Sequence, residues 1–172
     1  MNTRKLLTVA AMGLVGATTG PAQAERVKLE AVISVKTESK LELADTSKRY
    51  LLATQREGTA SGTGPLAGAT MLEWGMHDVS PGVGATGSGY LVFTLPSGEL
   101  AYLRYQFRAV AVVGADGKPQ NLINGFWEVA GGTGKLKDLR GAGTVHIAVV
   151  LPLARRWILE GDLVQVSEQS RN

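Results

Sequence analysis

The sequence predicts an all-β protein, built as an eight-stranded antiparallel β-barrel, and three observations lead to this prediction. Apolar and polar residues alternate with a period of two in many segments, as they do in strands with one buried face. Short runs rich in glycine, proline and aspartate separate these segments. Beyond the first 24 residues, no segment has the 3.6-residue periodicity of an amphipathic helix.

Eight candidate strands follow one another along the chain. The first alternates apolar residues, from Val27 to Val35, with polar ones. The segment that follows it, Lys36 to Lys48, is compatible with an extended strand, a short helix or a loop. The seven later candidates are residues 49–55, 69–79, 89–95, 99–113, 122–130, 144–151 and 156–166.

Turn signals support the connections between these strands. Pro96-Ser97-Gly98 joins the fourth candidate directly to the fifth, which is a strong β-hairpin signal. The next turn is Ala-Asp-Gly-Lys-Pro at 115–119. A glycine-rich connection precedes the seventh candidate, and within it Lys135 to Leu139 is expected to make a single helical turn.

Eight mainly sequential antiparallel strands have two economical arrangements, a closed barrel and a sandwich. Closure favours the barrel because it leaves no strand edge exposed. The interior of an eight-stranded barrel is either filled by side chains or lined by them around one small ligand. Several glycines inside the strands suit the bends that a small barrel needs. They are Gly75, Gly87, Gly89, Gly125 and Gly161.

The first 24 residues are predicted to be a signal helix that is cleaved after export. Two basic residues precede an apolar stretch that is too short to span a bilayer comfortably, and small residues at Ala22 and Ala24 suit cleavage after Ala24. A retained N-terminal anchor is the alternative. The predicted organisation is a signal peptide at 1–24 and a single β-barrel domain at 25–172, periplasmic or secreted and without stable membrane insertion after cleavage.

Composition narrows the class of protein. The 172-residue chain is 44% hydrophobic and 19% charged, which excludes a disordered chain and a charged coiled coil. Removal of residues 1–24 takes away Arg4 and Lys5 and no acid, so the formal charge falls from +3 to about +1. A nearly neutral chain with scattered cations offers no basis for binding nucleic acid. The absence of cysteine excludes disulfides, thiolate metal sites and cysteine nucleophiles.

No motif in the chain predicts a cofactor. Gly134-Lys135 resembles the end of a phosphate-binding loop, but Val129 and Leu136 stand where that loop needs a glycine and a serine or threonine. Two distant histidines without any cysteine are too few ligands for a zinc site, so we expect no metal. The Gly-x-Ser-x-Gly motif of serine hydrolases does not occur in the sequence.

Glu73 and His77 are the candidate catalytic residues. They share one face of the third candidate strand, while Leu72, Trp74 and Met76 take the other face. If the shared face lines an apolar cavity, the glutamate would have a raised pKa and could act as a general acid or base. The alternative is a polar stripe that faces solvent.

The fifth candidate strand has one apolar face and one cationic face. Leu103, Tyr105 and Phe107 lie on the apolar face, and Arg104 and Arg108 lie on the other. We expect the apolar face to line the cavity, which makes its three large side chains the candidate ligand-binding residues and leaves the arginines in solvent. In the reverse orientation, the two arginines would bind a carboxylate.

Three stretches in the second half of the chain resemble barrels of the allene oxide cyclase-like superfamily, which includes plant dirigent proteins. They are Gly-Phe-Trp-Glu-Val-Ala-Gly-Gly-Thr-Gly-Lys at 125–135, Arg-Gly-Ala-Gly-Thr at 140–144 and Arg-Trp-Ile-Leu-Glu-Gly at 156–161. The resemblance covers roughly residues 66–164 and consists mostly of structural glycines. It implies an eight-stranded antiparallel barrel with an apolar cavity, often trimeric, that binds or cyclises hydrophobic small molecules.

These observations lead to one expected function and two alternatives. The expected function is that of an exported barrel that binds a small hydrophobic molecule in its cavity. The first alternative is an isomerase or cyclase of the allene oxide cyclase-like type, in which Glu73 or His77 moves a proton. The second alternative is a structural envelope protein. Assembly into a homo-oligomer is compatible with each of them.

Overall fold

The protein is a closed eight-stranded antiparallel barrel. The computed structural model describes residues 23–166, so the predicted signal peptide lies outside the described residues up to position 22. The strands are β1 (Glu25–Glu42), β2 (Tyr50–Gly62), β3 (Thr70–Ser80), β4 (Gly84–Thr94), β5 (Leu100–Val113), β6 (Pro119–Gly132), β7 (Leu139–Leu151) and β8 (Ala154–Gln165). Each strand pairs with the next, and β8 closes the barrel against β1. The predicted barrel architecture is confirmed.

The connections alternate between the two ends of the barrel, because every strand is antiparallel to the one before it. One end carries the β2–β3, β4–β5 and β6–β7 connections, and their apolar residues fold in over it. Leu66, Leu95 and Leu136 are 0%, 8% and 2% exposed. We call this the closed end. The other four connections lie at the opposite end, which we call the open end.

Trp127 of β6 fills part of the barrel interior. Its side chain is buried, and its Nε1 donates to the carbonyl oxygen of Thr144 at 3.0 Å. Gly143 and Gly161 pair with each other across β7 and β8 and lie against the indole ring. A Cβ on either glycine would come within 2.7 Å of the Trp127 Cζ2 atom. Glycine at these two positions therefore provides the space that the ring occupies.

The apolar face of β5 points into the barrel and its cationic face points outward, as predicted. Leu103 and Tyr105 are buried inside the barrel. Arg104 lies outside, where its Nε donates to Glu128 Oε1 at 2.9 Å. Arg108 is exposed as well. The reverse orientation, with these two arginines in the interior, is therefore wrong.

Strand β1 extends well past the point where β8 ends. Its residues 25–34 pair with β8, and a bulge between Val35 and Thr37 shifts its register with β2. Among the described residues, the part beyond the bulge pairs only with β2 and ends at Glu42. The segment Lys36 to Lys48, for which the sequence allowed a strand, a helix or a loop, is thus a strand up to Glu42 and irregular after it.

Several strands are longer than predicted. Strand β2 continues past its predicted end to Gly62, β4 begins earlier at Gly84, and β7 begins earlier at Leu139. Small residues dominate these added stretches, so they show no apolar alternation and pair through their backbones. The predicted helical turn is a short 3₁₀ turn at Gly134–Leu136. Within the described part of the chain, no helix is long and apolar enough to cross a membrane.

Candidate functional site

A cavity of about 240 Å³ enters the barrel from the open end. The turn between β3 and β4 stands at its mouth, and side chains from strands β2 to β8 line its wall. Three aromatic rings face the cavity, from Tyr50, Phe107 and Trp157. Its wall also includes the side chains of Arg56, His77 and Arg155.

Behind this wall, Glu73 is the centre of a buried hydrogen-bond network. Its side chain has no solvent exposure. Its Oε2 accepts a hydrogen bond from Arg56 Nη1 at 2.9 Å, and its Oε1 accepts one from the Tyr105 hydroxyl at 2.7 Å. The His77 Nε2 lies 3.1 Å from the same Oε1. Both carboxylate oxygens are therefore engaged, which a buried ion pair needs to offset its desolvation. We call these four side chains the Glu73 network.

The strand register brings the network together. Arg56 of β2 lies directly opposite Glu73 of β3. Tyr105 approaches from β5, across β4, at a level where Gly89 of β4 pairs with both Tyr105 and Gly75 of β3. A Cβ on Gly75 would lie 2.3 Å from the Tyr105 hydroxyl oxygen and 2.8 Å from Glu73 Oε1. Glycine at position 75 therefore leaves the space through which the tyrosine reaches the carboxylate.

The network keeps Glu73 ionised. Burial by itself would raise the pKa of this carboxyl, but the hydrogen bond from His77, the charge of Arg56 and the Tyr105 hydroxyl outweigh burial. The pKa therefore lies below its ordinary value of 4.5. The raised pKa that we expected for a glutamate in an apolar cavity is wrong, because that expectation did not include the arginine opposite it.

The low pKa of Glu73 determines where protons lie in the network. An ionised carboxylate only accepts hydrogen bonds, so we infer that His77 Nε2 carries a proton. Burial, together with the charge of Glu73, raises the pKa of Tyr105 above its ordinary value. The Tyr105 hydroxyl therefore keeps its proton and donates a hydrogen bond to the carboxylate.

Glu73 and His77 both point into the barrel, as the interpretation of a catalytic pair facing the cavity required. Trp74 and Met76, which lie between them in sequence, are 53% and 56% exposed on the outer surface. The alternative of a solvent-facing polar stripe is wrong. Of the pair, His77 lines the cavity, whereas Glu73 is behind the cavity wall.

The three predicted ligand-binding residues occupy different depths. Phe107 lines the cavity, and its ring lies 5.1 Å from the His77 ring in an edge-to-face arrangement. Tyr105 is fully buried and is bonded to Glu73, and Leu103 packs in the core. Neither Tyr105 nor Leu103 belongs to the cavity wall.

Two cavity residues, Arg56 and Arg155, were not among the sequence candidates. Each lies one residue outside a predicted strand, so the predicted alternation does not extend to its side chain. Leu52, Thr54 and Arg56 follow the two-residue period of a strand and are all buried. Arg56 lies two residues after Thr54 in β2, and Arg155 lies two residues before Trp157 in β8. Continuing the two-residue alternation past the predicted strand ends therefore places both arginines on the inward face.

Gly75→Ala is expected to destabilise the protein by about 1–3 kcal/mol, because the new methyl group has no room between Tyr105 and Glu73. Urea unfolding measures the loss. Gly131→Ala is the matched control, since a Cβ on that strand glycine would meet nothing within 4 Å. An equal loss of stability in the two variants would show that the space at position 75 is not required by the network.

The fold and the cavity define a small closed β-barrel that is filled at one end and carries a cavity at the other. In residues 23–166, no three histidine, cysteine, aspartate or glutamate side chains are grouped so as to hold a metal ion.

No protein-family model matches the chain, and no curated protein matches it either. The solved structures to which this chain is similar include a protein of unknown function from Clostridium acetobutylicum ATCC 824, which is 15% identical. That match has a TM-score of 0.47 and covers 83% of this chain and 99% of the other. A conserved protein of unknown function from Rhodopseudomonas palustris is 12% identical, with a TM-score of 0.44 and coverage of 85% and 99%.

Proposed function

We propose that the protein is an exported barrel that binds a small hydrophobic molecule in the cavity at its open end. The contrast between the two ends supports this proposal. The closed end is filled by the chain's own side chains, whereas the open end keeps a cavity of about 240 Å³ with an aromatic wall. Eight-stranded barrels can hold one small ligand in such a space. Export is proposed from the predicted signal peptide at residues 1–24.

The volume of the cavity limits the size of the ligand. A dry protein cavity of about 150 Å³ holds benzene, so the cavity in this barrel has room for on the order of ten heavy atoms. Tyr50, Phe107 and Trp157 would contact the body of the ligand. Burial of apolar surface against them would supply about 25 cal/mol per Å². The expected ligand is therefore compact and largely apolar.

The state of Glu73 favours binding over proton transfer. Its two oxygens are engaged by Arg56, Tyr105 and His77, and it does not line the cavity. A general base needs to reach the proton of its substrate within hydrogen-bond distance. The Glu73 network therefore fits a structural role behind one wall of a binding site. It fits less well the isomerase or cyclase alternative in which Glu73 moves a proton.

Titration calorimetry with 3-phenylpropanol, a neutral molecule of about this size, tests the proposed function. We expect one molecule to bind per barrel with a negative heat-capacity change, because apolar surface is buried. Ala109→Phe places a ring in the cavity and is expected to weaken binding at least about tenfold. Val110→Phe, on the outer face of the same strand, is the control and should bind normally.

Thermal unfolding of both variants establishes that they are folded before they are titrated. Absence of binding to the unmodified protein at millimolar 3-phenylpropanol would contradict the proposed function. Binding that is equally strong in Ala109→Phe would also contradict it, because the ligand would then lie outside the cavity.

A further inference from the structure

We propose that the open end of the barrel docks on the surface of a lipid bilayer that contains anionic phospholipid. The apolar part of the docking surface, which we call the apolar rim, consists of Leu41, Val83, Val113 and Leu153. This inference names a partner that the proposed function does not include. It rests on the exposure and the charge of the open end, so it does not depend on whether the cavity holds a ligand.

The apolar rim contains the four most exposed large hydrophobic side chains of the described residues. Leu41, Val83, Val113 and Leu153 are 61%, 71%, 76% and 68% exposed. Val83 and Leu153 lie in the β3–β4 and β7–β8 turns. Val113 is the last residue of β5, and Leu41 is the last but one of β1. Each connection of the open end therefore carries one of them, and together they surround the mouth of the cavity.

The closed end shows that such exposure is not a general property of the connections in this barrel. Leu66, Leu95 and Leu136 lie in the closed-end connections, and all three are buried. Large aliphatic side chains gain free energy when they leave water, and exposed apolar groups bordered by polar residues mark surfaces that meet another protein or a membrane. The apolar rim is therefore a contact surface, and the charge around it distinguishes between these two partners.

Basic residues exceed acidic ones at the open end. Six lysines and arginines and four aspartates and glutamates occur in residues 40–50, 78–84, 108–119 and 149–155. Three of these acids are already paired with basic side chains of the same end, in Lys40–Glu42, Arg49–Asp78 and Lys118–Asp116. Lys48 and Arg108 are both exposed. The open end thus carries an excess of positive charge.

Part of this positive charge lies directly beside the apolar rim. Arg108 lines a groove of about 300 Å³ on the outer surface, and Val83 of the rim and Val110 line the same groove. Arg49 and Asp78 also belong to it and form an ion pair, so Arg108 provides the excess charge there. A cation beside exposed aliphatic side chains matches the interface of a bilayer, where phosphate groups border acyl chains.

Charge and area favour a bilayer over a second copy of the chain. Two copies that met rim to rim would bring like excess charges together, which is unfavourable at an interface. The four rim side chains together expose on the order of 500 Å², whereas a stable protein interface buries about 800 Å² on each partner. Anionic phospholipid complements both the cations and the aliphatic groups. The cavity would then open toward the bilayer, so an apolar ligand can pass between them without crossing water.

Co-sedimentation with lipid vesicles tests the inference. The protein is isolated as the cell processes it, and mass spectrometry identifies its N-terminus. It is then mixed with vesicles of phosphatidylcholine and phosphatidylglycerol in equal amounts, or of phosphatidylcholine alone, at constant salt. We expect binding to the mixed vesicles that is at least about tenfold stronger than binding to the neutral ones, because each basic residue near an anionic surface contributes about 1 kcal/mol.

A combined variant assigns the binding to the apolar rim. It carries Leu41→Thr, Val83→Ser, Val113→Thr and Leu153→Ser, and it should bind the mixed vesicles at least about tenfold more weakly. The matched control replaces four exposed apolar residues of the outer wall by threonine and should bind normally; they are Trp74, Met76, Tyr90 and Phe126. Both variants share their first 24 residues with the unmodified protein, so the comparison holds whether or not these are cleaved.

A second pair of variants tests the charge. Lys48→Gln combined with Arg108→Gln should reduce the preference for the mixed vesicles several-fold. Arg26→Gln combined with Lys135→Gln removes the same charge from exposed positions at the closed end and should leave the preference unchanged.

A fluorescent label reports which end meets the bilayer. The chain has no cysteine, so one introduced cysteine can carry an environment-sensitive dye. A dye at Ala115→Cys, in the β5–β6 turn of the open end, should shift to shorter wavelength on the mixed vesicles. A dye at Ser97→Cys, in the β4–β5 turn of the closed end, should not shift.

The outcomes separate membrane docking from the proposed function. Absence of binding to the mixed vesicles, equal binding by the rim variant, or a shift of the closed-end dye alone would each overturn the inference. A rim variant that converts a dimer into a monomer in native mass spectrometry, without vesicle binding by the unmodified protein, would make a second copy the partner. None of the four rim residues lines the cavity, so binding of 3-phenylpropanol should be the same in the rim variant.

Discussion

Replacing Glu73 with leucine is expected to lower the free energy of unfolding by about 3–5 kcal/mol, because it breaks a buried ion pair by removing one partner. Arg56 would keep its charge at 4% exposure and lose the carboxylate 2.9 Å from its Nη1. Tyr105 and His77 would lose the same acceptor. Glu38 remains near Arg56 Nη2, but at 3.6 Å and partly in solvent it is a poor substitute.

Urea unfolding monitored by circular dichroism measures this loss, and a second substitution shows its cause. Combining Glu73→Leu with Arg56→Met is expected to recover most of the stability, because removing both charges leaves no unpaired ion in the interior. Glu128→Leu is the surface control, since its partner Arg104 stays in solvent and little should change. A double variant that is less stable than Glu73→Leu would argue against the buried charge as the cause.

The difference in stability between the unmodified protein and Glu73→Leu is expected to depend on pH. The pKa of Glu73 is lower in the folded protein than the 4.5 of an ordinary glutamate. Its contribution to stability is therefore complete above pH 4.5 and is lost as the pH falls below that value, toward the pKa of the folded state. The difference in stability between the unmodified protein and Glu73→Leu should narrow over this acidic range and stay constant above it.

Trp127→Ala is the second substitution with a large expected effect, a loss of about 3–5 kcal/mol. The indole ring is almost completely buried against Gly143 and Gly161, so its removal leaves a void beside two residues that have no side chain to fill it. The carbonyl of Thr144 also loses the hydrogen bond from Nε1. Both effects act on the core, at a distance from the cavity wall.

The neighbouring residue provides the control for this substitution. Phe126 points out of the barrel and is 53% exposed, so Phe126→Ala should change the urea midpoint far less. Equal shifts in the two variants would mean that Trp127 is not a main element of the core. Trp127→Phe should retain part of the stability, because it keeps a ring against the two glycines.

Period-two alternation was sufficient to predict which side chains of a single strand share a face. It placed Leu103 and Tyr105 inside and Arg104 outside, and it placed Glu73 and His77 on one face. This succeeds because the direction of a side chain in a strand is a local property of the backbone. The closed barrel followed from the number and order of such strands.

The contacts between strands could not be predicted in the same way. The pairing of Arg56 with Glu73 depends on the register between β2 and β3, which closure of the whole barrel decides. Gly75 was interpreted as a bend, whereas its structural role is to leave space for Tyr105. Which end of the barrel is filled depends on connections that carry residues such as Leu66 and Leu136, and strand periodicity contains no information about them.

The part of β1 beyond its bulge has a consequence for self-association. From Lys36 to Glu42, this strand has β2 on one side, and in the described structure no strand pairs with its other side. This edge of β1 is therefore a short template on which a second chain could add a strand. Charged side chains recur along it, at Lys36, Glu38, Lys40 and Glu42, and a neighbour would have to bury them to pair there. The same charges that concealed this strand in the sequence thus disfavour the pairing of a second chain along this edge.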